Sequence, residues 1–411
     1  MATPVEELDL PLLTTHADPD PEIDVANLAL QGKLGWLARF TFGYVVLDYD
    51  DVLALLRDRH LHQASNLVAT LYTGEGTALD ELNREGLLSA EGENHTRLRR
   101  LVSAPFSPRA IDHLRPFMSQ YMRELATSLS SEPSFVVDAP VALSQYPIAV
   151  ICHHLNVERA DWDLFSRWAE TTFLLFSSAA RGNEERIVRE VREFSAYCTT
   201  LINERRQHLG DDLISHLIEA EQEGDRLTTR EMVSLIQGIL AAGTDTTRNQ
   251  LSIMLALLST RPDVWDALDG NADLAVNVAE ESLRYMNPIR FVIRQVHEPF
   301  EYRHVAFTPG TLIAFSLAGA NRDEHHFVDG GRFDTGRTGA RDHLTFGSGI
   351  HHCLGAALAR AELQEALLAL RAQWSRIEPA GEIVWRNSNL AVWGAQSVPL
   401  RVTPSYSVGP V

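Results

Sequence analysis

The stretch that decides the fold of this 411-residue chain is Phe346-Gly347-Ser348-Gly349-Ile350-His351-His352-Cys353-Leu354-Gly355. Its three glycines allow tight turns and a close approach of the backbone to a ligand. An alanine-rich helix is predicted over residues 354–374, with Cys353 at its N-terminus. Because a helix N-terminus favours a thiolate, and no second cysteine is near, the stretch indicates a single axial ligand to a metal cofactor. The alternative is an inert buried cysteine beside a flexible turn.

The other cysteines and the charge balance exclude several classes of protein. Cys152 and Cys198 complete a set of three, which is too few and too widely spaced for a disulfide framework or a zinc ribbon. An odd number leaves a free thiol, which is typical of a reducing compartment. The net charge of −19 argues against a protein that binds nucleic acid through a broad basic surface.

No targeting or membrane segment is apparent in the sequence. Residues 1–13 carry three acidic residues and no basic residue ahead of a short apolar stretch, which is unlike a signal peptide. No uninterrupted apolar run reaches the roughly 18 residues of a membrane span. We therefore expect a cytoplasmic protein without a membrane anchor. Because no repeat or long linker interrupts the chain, we expect one domain over residues 1–411, with residues 1–27 as an irregular N-terminal arm.

Helical periodicity dominates the chain. Apolar residues at spacings of three and four predict helices over 50–59, 93–102, 111–129, 160–180 and 184–209. The longest predicted helix, 229–260, would extend over about 45 Å, between a threonine cap and Pro262. Short strands are predicted over 44–47, 135–137 and 399–402, and a hairpin is predicted from 305–307 and 312–315. The sequence therefore predicts a mainly α fold with small β sheets.

Polar residues interrupt the apolar pattern at the middle of the longest helix. The interruption reads Ala242-Gly243-Thr244-Asp245-Thr246-Thr247. A glycine in a helix interior costs about 1 kcal/mol, and threonines can bond back to the preceding turn, so this turn is predicted to be weakened. A polar stripe facing solvent is the alternative, but the apolar neighbours on both sides argue against it.

The stretch 346–355 resembles the haem-binding signature of the cytochrome P450 family, F-G-x-G-x-H-x-C-x-G, at every fixed position. The resemblance covers about residues 28–404. It implies the P450 fold, with a haem b (iron protoporphyrin IX) between the long central helix and the cysteine loop. It also implies that Cys353 is the thiolate ligand of the iron, with Phe346 and Gly347 in contact with the cofactor.

Three further segments match the family. Glu281 and Arg284 resemble the E-x-x-R helix motif, and the resemblance implies that Arg337, from a later segment, joins them in a buried structural network. His95 and Arg99 form H-x-x-x-R on one helix face. The resemblance implies that these two bind the haem propionates together with His351 and Arg294, although a solvated His95 and a surface Arg294 are the alternatives.

The polar turn resembles the family's oxygen-activation motif, [AG]-G-x-[DE]-T. The resemblance implies that Thr246 hydrogen-bonds the bound dioxygen or its water, and that Asp245 relays protons. Ala242 and Gly243 would then contact the haem. Such a relay suits the chemistry, because cleavage of an O–O bond requires protons at the distal oxygen.

The resemblance implies a monooxygenase that inserts one oxygen atom from O2 into an apolar substrate by hydroxylation or epoxidation. A terpenoid, steroid, polyketide or fatty acyl compound is expected. By family position the substrate contacts are Leu67, Val68, Leu71, Tyr72, residues 173–176, Ile239, Ala242, Phe291, Val292, Val392 and Trp393.

Electrons are expected from a separate ferredoxin, which is reduced by an NAD(P)H-dependent reductase, and the enzyme is expected to be a monomer. The donor would dock on the Cys353 side, where the candidate basic residues are Arg97, Arg100, Arg341 and Arg360.

Two other functions remain as alternatives. A peroxide-driven haem-thiolate peroxygenase would need no proton relay, and the pair Asp245 and Thr246 argues against it. A haem-binding sensor without turnover would tolerate Cys353 but would have no use for an acid and an alcohol in mid-helix.

Overall fold

The computed structural model describes residues 2–12, 35–40, 43–64, 77, 79, 87, 89–130, 132–174, 180, 182–222, 227–386 and 392–405. Its helices are α1 Tyr49–Leu55, α2 Gly92–Ser103, α3 Pro108–Asp112, α4 Arg115–Leu129, α5 Ala139–Ala142, α6 Gln145–His154, α7 Trp162–Leu174, α8 Glu184–Gln207, α9 Leu213–Gln222, α10 Thr229–Ser259, α11 Pro262–Ala267, α12 Ala272–Tyr285, α13 Leu317–Ala320 and α14 Ala356–Gln373. None of the described helices is long and apolar enough to cross a membrane.

The strands are short and scattered along the chain. They are β1 Thr3–Pro4, β2 Leu37–Phe40, β3 Gly43–Val46, β4 Leu61–Gln63, β5 Phe135–Asp138, β6 Phe291–Val296, β7 Phe300–Tyr302, β8 Val305–Phe307, β9 Leu312–Ser316, β10 Trp374–Pro379, β11 Val384–Trp385, β12 Ala395–Ser397 and β13 Pro399–Pro404. The largest sheet has the order β2-β3-β9-β6-β4, and smaller sheets have the orders β1-β8-β7, β10-β13-β5 and β11-β12. The predicted class, mainly α with small sheets, is confirmed.

Helix α10 lies at the centre of the helical part. Thr228 caps it, since its hydroxyl accepts a hydrogen bond from the Glu231 N–H at 3.2 Å and the Glu231 carboxylate accepts one from the Thr228 N–H at 2.7 Å. The helix packs against α6, α7, α8, α12 and α14. Its apolar residues therefore enter the main hydrophobic core, while a second core lies under the largest sheet.

Two details of the predicted elements are wrong. The strands 305–307 and 312–315 exist, but they do not form a hairpin, because β8 pairs with β7 and β1 whereas β9 lies between β3 and β6. The predicted helix 111–129 is divided between α3 and α4. Pro116 explains the division, because proline lacks an N–H and is tolerated in the first turn of a helix but not in its interior.

Candidate functional site

The cysteine loop is held in a shape that requires glycine. Gly347 and Gly349 have φ angles of 68° and 72°, in the left-handed region. A Cβ atom at Gly349 would also lie 2.7 Å from the carbonyl oxygen of Leu56. The Cys353 N–H donates to the Phe346 carbonyl at 2.8 Å, which closes the loop and presents the cysteine side chain as an exposed group.

The electrostatics of Cys353 differ from the prediction. Although the side chain keeps accessible surface, the protein atoms around it desolvate the thiol and raise its pKa; the Gly355 N–H, Arg99 and Arg360 oppose this rise but do not reverse it. The predicted preference for a thiolate at the start of α14 is therefore outweighed by desolvation in the protein alone. A metal cation bound to the sulfur would reverse this balance, because it favours the deprotonated ligand directly.

The four residues predicted to bind propionates surround one region beside the cysteine loop. The rings of His95 and His351 are 4.3 Å apart. Arg294 is buried on β6, where desolvation lowers the pKa of its guanidinium to about 10 although nearby Glu91 opposes the shift. Arg99 donates to the His352 carbonyl at 2.6 Å. These side chains bring positive charge and N–H donors to the loop from α2, from β6 and from the loop itself.

One buried nitrogen atom in this region, on His95, has no hydrogen-bond partner among the described residues. It shows whether the region suits a bound group that carries carboxylates. His95 is only 3% exposed, and its Nδ1 atom has no hydrogen-bond partner within the described residues. Burial lowers the pKa of His95, as do the charges of His351 and Arg99, while Glu91 raises it. Because buried polar atoms are almost always paired, the arrangement fits a ligand that brings an anionic oxygen to this region. The residues present therefore suit a haem with its two propionates.

Two members of this region were missed from the sequence. Gln63 on β4 accepts a hydrogen bond from Arg294 Nη1 at 2.6 Å, and its N–H donates to Glu91 Oε1 at 2.5 Å. Glu91 also lies 3.2 Å from His351 Nε2. No motif marks either residue, because Gln63 becomes a neighbour of Arg294 only through the pairing of β4 with β6.

The polar turn of α10 remains helical in the structure. Thr246 Oγ1 donates to the Ala242 carbonyl at 2.7 Å, and Thr244 Oγ1 donates to the Leu240 carbonyl at 3.0 Å, as the sequence predicts for threonines inside a helix. The ladder nevertheless continues over all 31 residues of the helix. Ala242 is exposed and Thr246 is half-buried, so this turn presents accessible side chains in the middle of an otherwise buried helix.

Asp245, the predicted proton relay, is buried between two arginines. Its Oδ1 atom pairs with Arg248, one turn further along α10, and its Oδ2 atom lies 3.5 Å from Nη1 of Arg386, which follows β11. The side-chain amide of Asn249 donates to the Asp245 carbonyl at 2.7 Å. Arg386 was missed from the sequence because it lies 141 positions after Asp245 in the chain and belongs to no motif.

Gly243 has a packing role that the sequence did not predict. A Cβ atom at this position would lie 2.7 Å from Cδ1 of Ile151 on α6. The glycine therefore permits α6 and α10 to approach closely. The contact of Gly243 with the haem stays a prediction.

The predicted substrate residues divide into three groups. Leu67, Val68, Leu71 and Tyr72 lie outside the described residues, as do residues 175–176 and the side chain of Phe173. Ala242, Phe291 and Val292 have accessible surface, and Ile239 is nearly buried. Trp393 is a core residue instead, since it stacks on Trp385 with centroids 4.8 Å apart, and Val392 beside it is buried too.

The predicted structural network is present as a buried cluster. Arg284 is 0% exposed and donates to both carboxylate oxygens of Glu281 at 2.7 Å. Arg337 Nε donates to Glu281 Oε1 at 3.2 Å. The remaining donors of Arg284 bind the carbonyls of Asn321, Gly330 and Arg332. One arginine thus connects α12 to the segment that leads into the cysteine loop.

Glu280, a second acidic residue of α12, was missed from the sequence. It is the hydrogen-bond partner of Arg360, one of the predicted docking residues. Glu280 accepts hydrogen bonds from Arg360 at 2.7 and 3.2 Å and lies 3.2 Å from His343. Burial alone would raise the pKa of Glu280, but the bonds from His343 and Arg360 lower it to about 2. The Arg360 guanidinium also lies 4.5 Å from the ring centre of Phe346. Arg360 therefore stabilises the cysteine loop from within.

Arg97, another predicted docking residue, also has partners inside the protein, since it pairs with Glu231 at the start of α10 and bonds to Asn94. The docking face itself stays a prediction. Arg341 keeps a side chain that is 69% exposed, 3.6 Å from Glu280, and Arg100 is exposed.

Comparison with known proteins places these features in context. A family model described as cytochrome P450 matches residues 43–371. The mycinamicin IV hydroxylase/epoxidase of Micromonospora griseorubida is 34% identical over 87% of this chain and 91% of that protein. The luteothin monooxygenase of Streptomyces thioluteus is 33% identical over 96% of each chain. The solved structure of the bacillaene polyketide synthase cytochrome P450 PksS of Bacillus subtilis has a TM-score of 0.81 at 28% identity, over 93% of this chain and 97% of that one.

Proposed function

Because this chain belongs to the cytochrome P450 family, as a haem-thiolate monooxygenase that acts on an apolar organic substrate, we propose that its substrate is a polyketide. The relatives support this class, since PksS is named for polyketide biosynthesis and two others are named for mycinamicin IV and luteothin. The accessible residues of the predicted pocket, Ala242, Phe291 and Val292, are apolar. Hydroxylation or epoxidation of a carbon skeleton with few charges is the reaction that this lining suits.

The observation that carries the site assignment is the single accessible thiol of Cys353 at the end of the glycine-bounded loop. Its Sγ atom would hold the haem iron, and His95, Arg99, Arg294 and His351 would hold the propionates. We propose the b type, because the sequence has no C-x-x-C-H for covalent attachment. When bound, the haem supplies the activation of O2 with electrons from a donor protein.

The polar turn of α10 would supply the groups that accept and deliver protons during the reaction. The Thr246 hydroxyl donates its own proton to the Ala242 carbonyl, so its oxygen remains available to accept a hydrogen bond from a water or from a protonated reactant. Asp245 would deliver protons to this position only when its carboxylate leaves Arg248 or Arg386. The proposed roles are therefore acceptance of a hydrogen bond at Thr246 Oγ1 and, at Asp245, uptake of a proton by the carboxylate followed by its delivery from the carboxylic acid.

The Thr246→Ala variant tests the proton role. We expect it to keep its haem and its spin-state response to substrate, while the product formed per NAD(P)H falls about tenfold or more, because correctly placed proton transfer is worth at least about two orders of magnitude in rate. Reducing equivalents should then appear as hydrogen peroxide. The matched control is Thr244→Ala, which removes a buried back-bonded hydroxyl two residues away. Unchanged coupling in Thr246→Ala would contradict the assigned role.

The Arg294→Leu variant tests the propionate role. A charge-assisted hydrogen bond contributes about 1.5–3 kcal/mol, so we expect haem to be lost roughly tenfold to a hundredfold faster to an excess of apomyoglobin. Arg401→Leu, at an exposed position on β13, should leave the rate unchanged. If Arg294→Leu keeps haem as long as the wild type, the propionates lie elsewhere.

We propose a ferredoxin as the electron donor, docked on the Cys353 side. Arg100 and Arg341 are the predicted docking residues that keep exposed side chains. An acidic partner suits these two arginines because the charges are opposite, while the net charge of −19 over the whole chain would disfavour docking elsewhere. The substrate class itself is best examined by a screen of polyketides for the low- to high-spin shift on binding.

A further inference from the structure

Glu91 immediately precedes the first residue of α2, at a position where a side chain can accept a hydrogen bond from the first turn of the helix. It is the N-cap residue, yet its side chain makes no capping hydrogen bond to the first turn. The carboxylate instead turns toward β4 and the cysteine loop, where it accepts from the Gln63 N–H at 2.5 Å and lies 3.2 Å from His351 Nε2. The carboxylate therefore contacts Gln63 and His351, which are distant in sequence, and not the first turn of its own helix.

Through Gln63, the same carboxylate is connected to Arg294. The Gln63 side chain accepts from Arg294 Nη1 at 2.6 Å while its backbone N–H donates to Glu91. Burial raises the pKa of Glu91, but the contacts with His351 and Gln63 outweigh burial and lower it. Glu91 therefore carries a negative charge among residues that are assigned to anionic groups of the cofactor.

This arrangement is unusual for a site that would hold two carboxylates. A third carboxylate adds negative charge where donors are limited to two arginines and two histidines. A buried charge without enough partners costs free energy, so the partners of this carboxylate matter. Glu91 accepts a hydrogen bond from Gln63 and lies beside His351, and it would place a negative charge near a haem whose propionates His351 holds.

We propose that Glu91 is a positioning residue of the haem-propionate region that also lowers the reduction potential of the iron. The proposal rests on the assignment of His351 and Arg294 to the propionates. Reduction adds an electron to the haem, and a nearby negative charge disfavours that addition. Charge and hydrogen bonding outside the iron ligands are recognised means by which a protein sets this potential.

The test compares three variants of the haem-loaded protein. Glu91→Gln keeps an amide oxygen for Gln63 but removes the charge, and we expect a more positive midpoint potential in a spectroelectrochemical titration, with haem lost to apomyoglobin no faster than from the wild type. Glu91→Ala removes the charge and the anchor, so it should show the same shift and several-fold faster haem loss. Glu93→Gln is the matched control, because it removes the same charge from an exposed position two residues along α2.

Each outcome decides one part of the proposal. If Glu91→Gln and Glu93→Gln have the same potential, the charge role is overturned. If Glu91→Ala keeps haem as long as the wild type, the anchoring role is overturned. Both results are separate from the propionate assignment, which fails only if Arg294→Leu retains haem normally.

Discussion

Replacement of Cys353 by alanine is expected to abolish the thiolate-type spectrum of the reduced carbon-monoxide complex and all monooxygenase turnover. The alanine removes the Sγ atom but keeps the backbone N–H that closes the loop onto the Phe346 carbonyl. The fold should therefore survive while the iron loses its ligand. Among the described residues no group of three or more His, Cys, Asp or Glu side chains could hold a metal instead.

The chain offers two matched controls for this experiment. Cys152 and Cys198 are buried in the helical core, where desolvation raises the pKa of both thiols far above the usual range. Cys152→Ala and Cys198→Ala should leave the thiolate-type spectrum unchanged, because neither thiol is accessible. A thiolate-type spectrum in Cys353→Ala would show that the iron is held by another residue.

Replacement of Arg284 by leucine is expected to give the largest loss of stability. The guanidinium satisfies both oxygens of Glu281 and three backbone carbonyls, all away from water. Without it, the partners that remain for the buried Glu281 carboxylate within the described part of the chain are Arg337 and the Asp334 N–H. Breaking such a buried pair costs about 3–5 kcal/mol, a large part of the roughly 5–15 kcal/mol that stabilises a native protein.

The measurement is urea unfolding of the purified protein, followed by far-UV circular dichroism, together with the haem content at purification. Arg376→Leu is the control, since that arginine is 61% exposed and pairs with Glu378 at the surface. The control should cost at most about 1 kcal/mol. Arg284→Lys should also be destabilising, because the single ammonium group of lysine cannot donate to all the acceptors that the planar guanidinium reaches. A loss below about 1 kcal/mol in Arg284→Leu would contradict the structural role.

The relations that were predicted correctly are mostly local in sequence. His95 and Arg99 share a helix face at a spacing of four residues, and Glu281 and Arg284 pair at a spacing of three. The cap of α10 lies within four residues, from Thr228 to Glu231. Spacing of this kind fixes geometry because the helix repeat is constant. The family resemblance extended these local patterns to Arg337, which contacts Glu281 as the resemblance implied.

The relations that were missed join residues distant in sequence through strand pairing or burial. Pairing of β8 with β7 was missed because the turn Arg303-His304, with both φ angles positive, has no glycine to mark it. Trp393 was predicted to line the pocket, yet its ring stacks on Trp385 of β11 and is buried. Which face of a short strand is covered depends on the elements that pack against it, and the residues near the strand in sequence do not identify those elements.

By itself, the sequence determined the mainly helical class, the central capped helix and the cysteine that ends a glycine-bounded loop. Each depends on periodicity, capping or turn chemistry within a few residues. Only the tertiary structure decided the charges around the site: Glu91 beside His351, Arg386 beside Asp245, and Glu280 beneath Arg360. The physical reason is that a buried charge needs a partner close in space, and folding can supply that partner from any part of the chain.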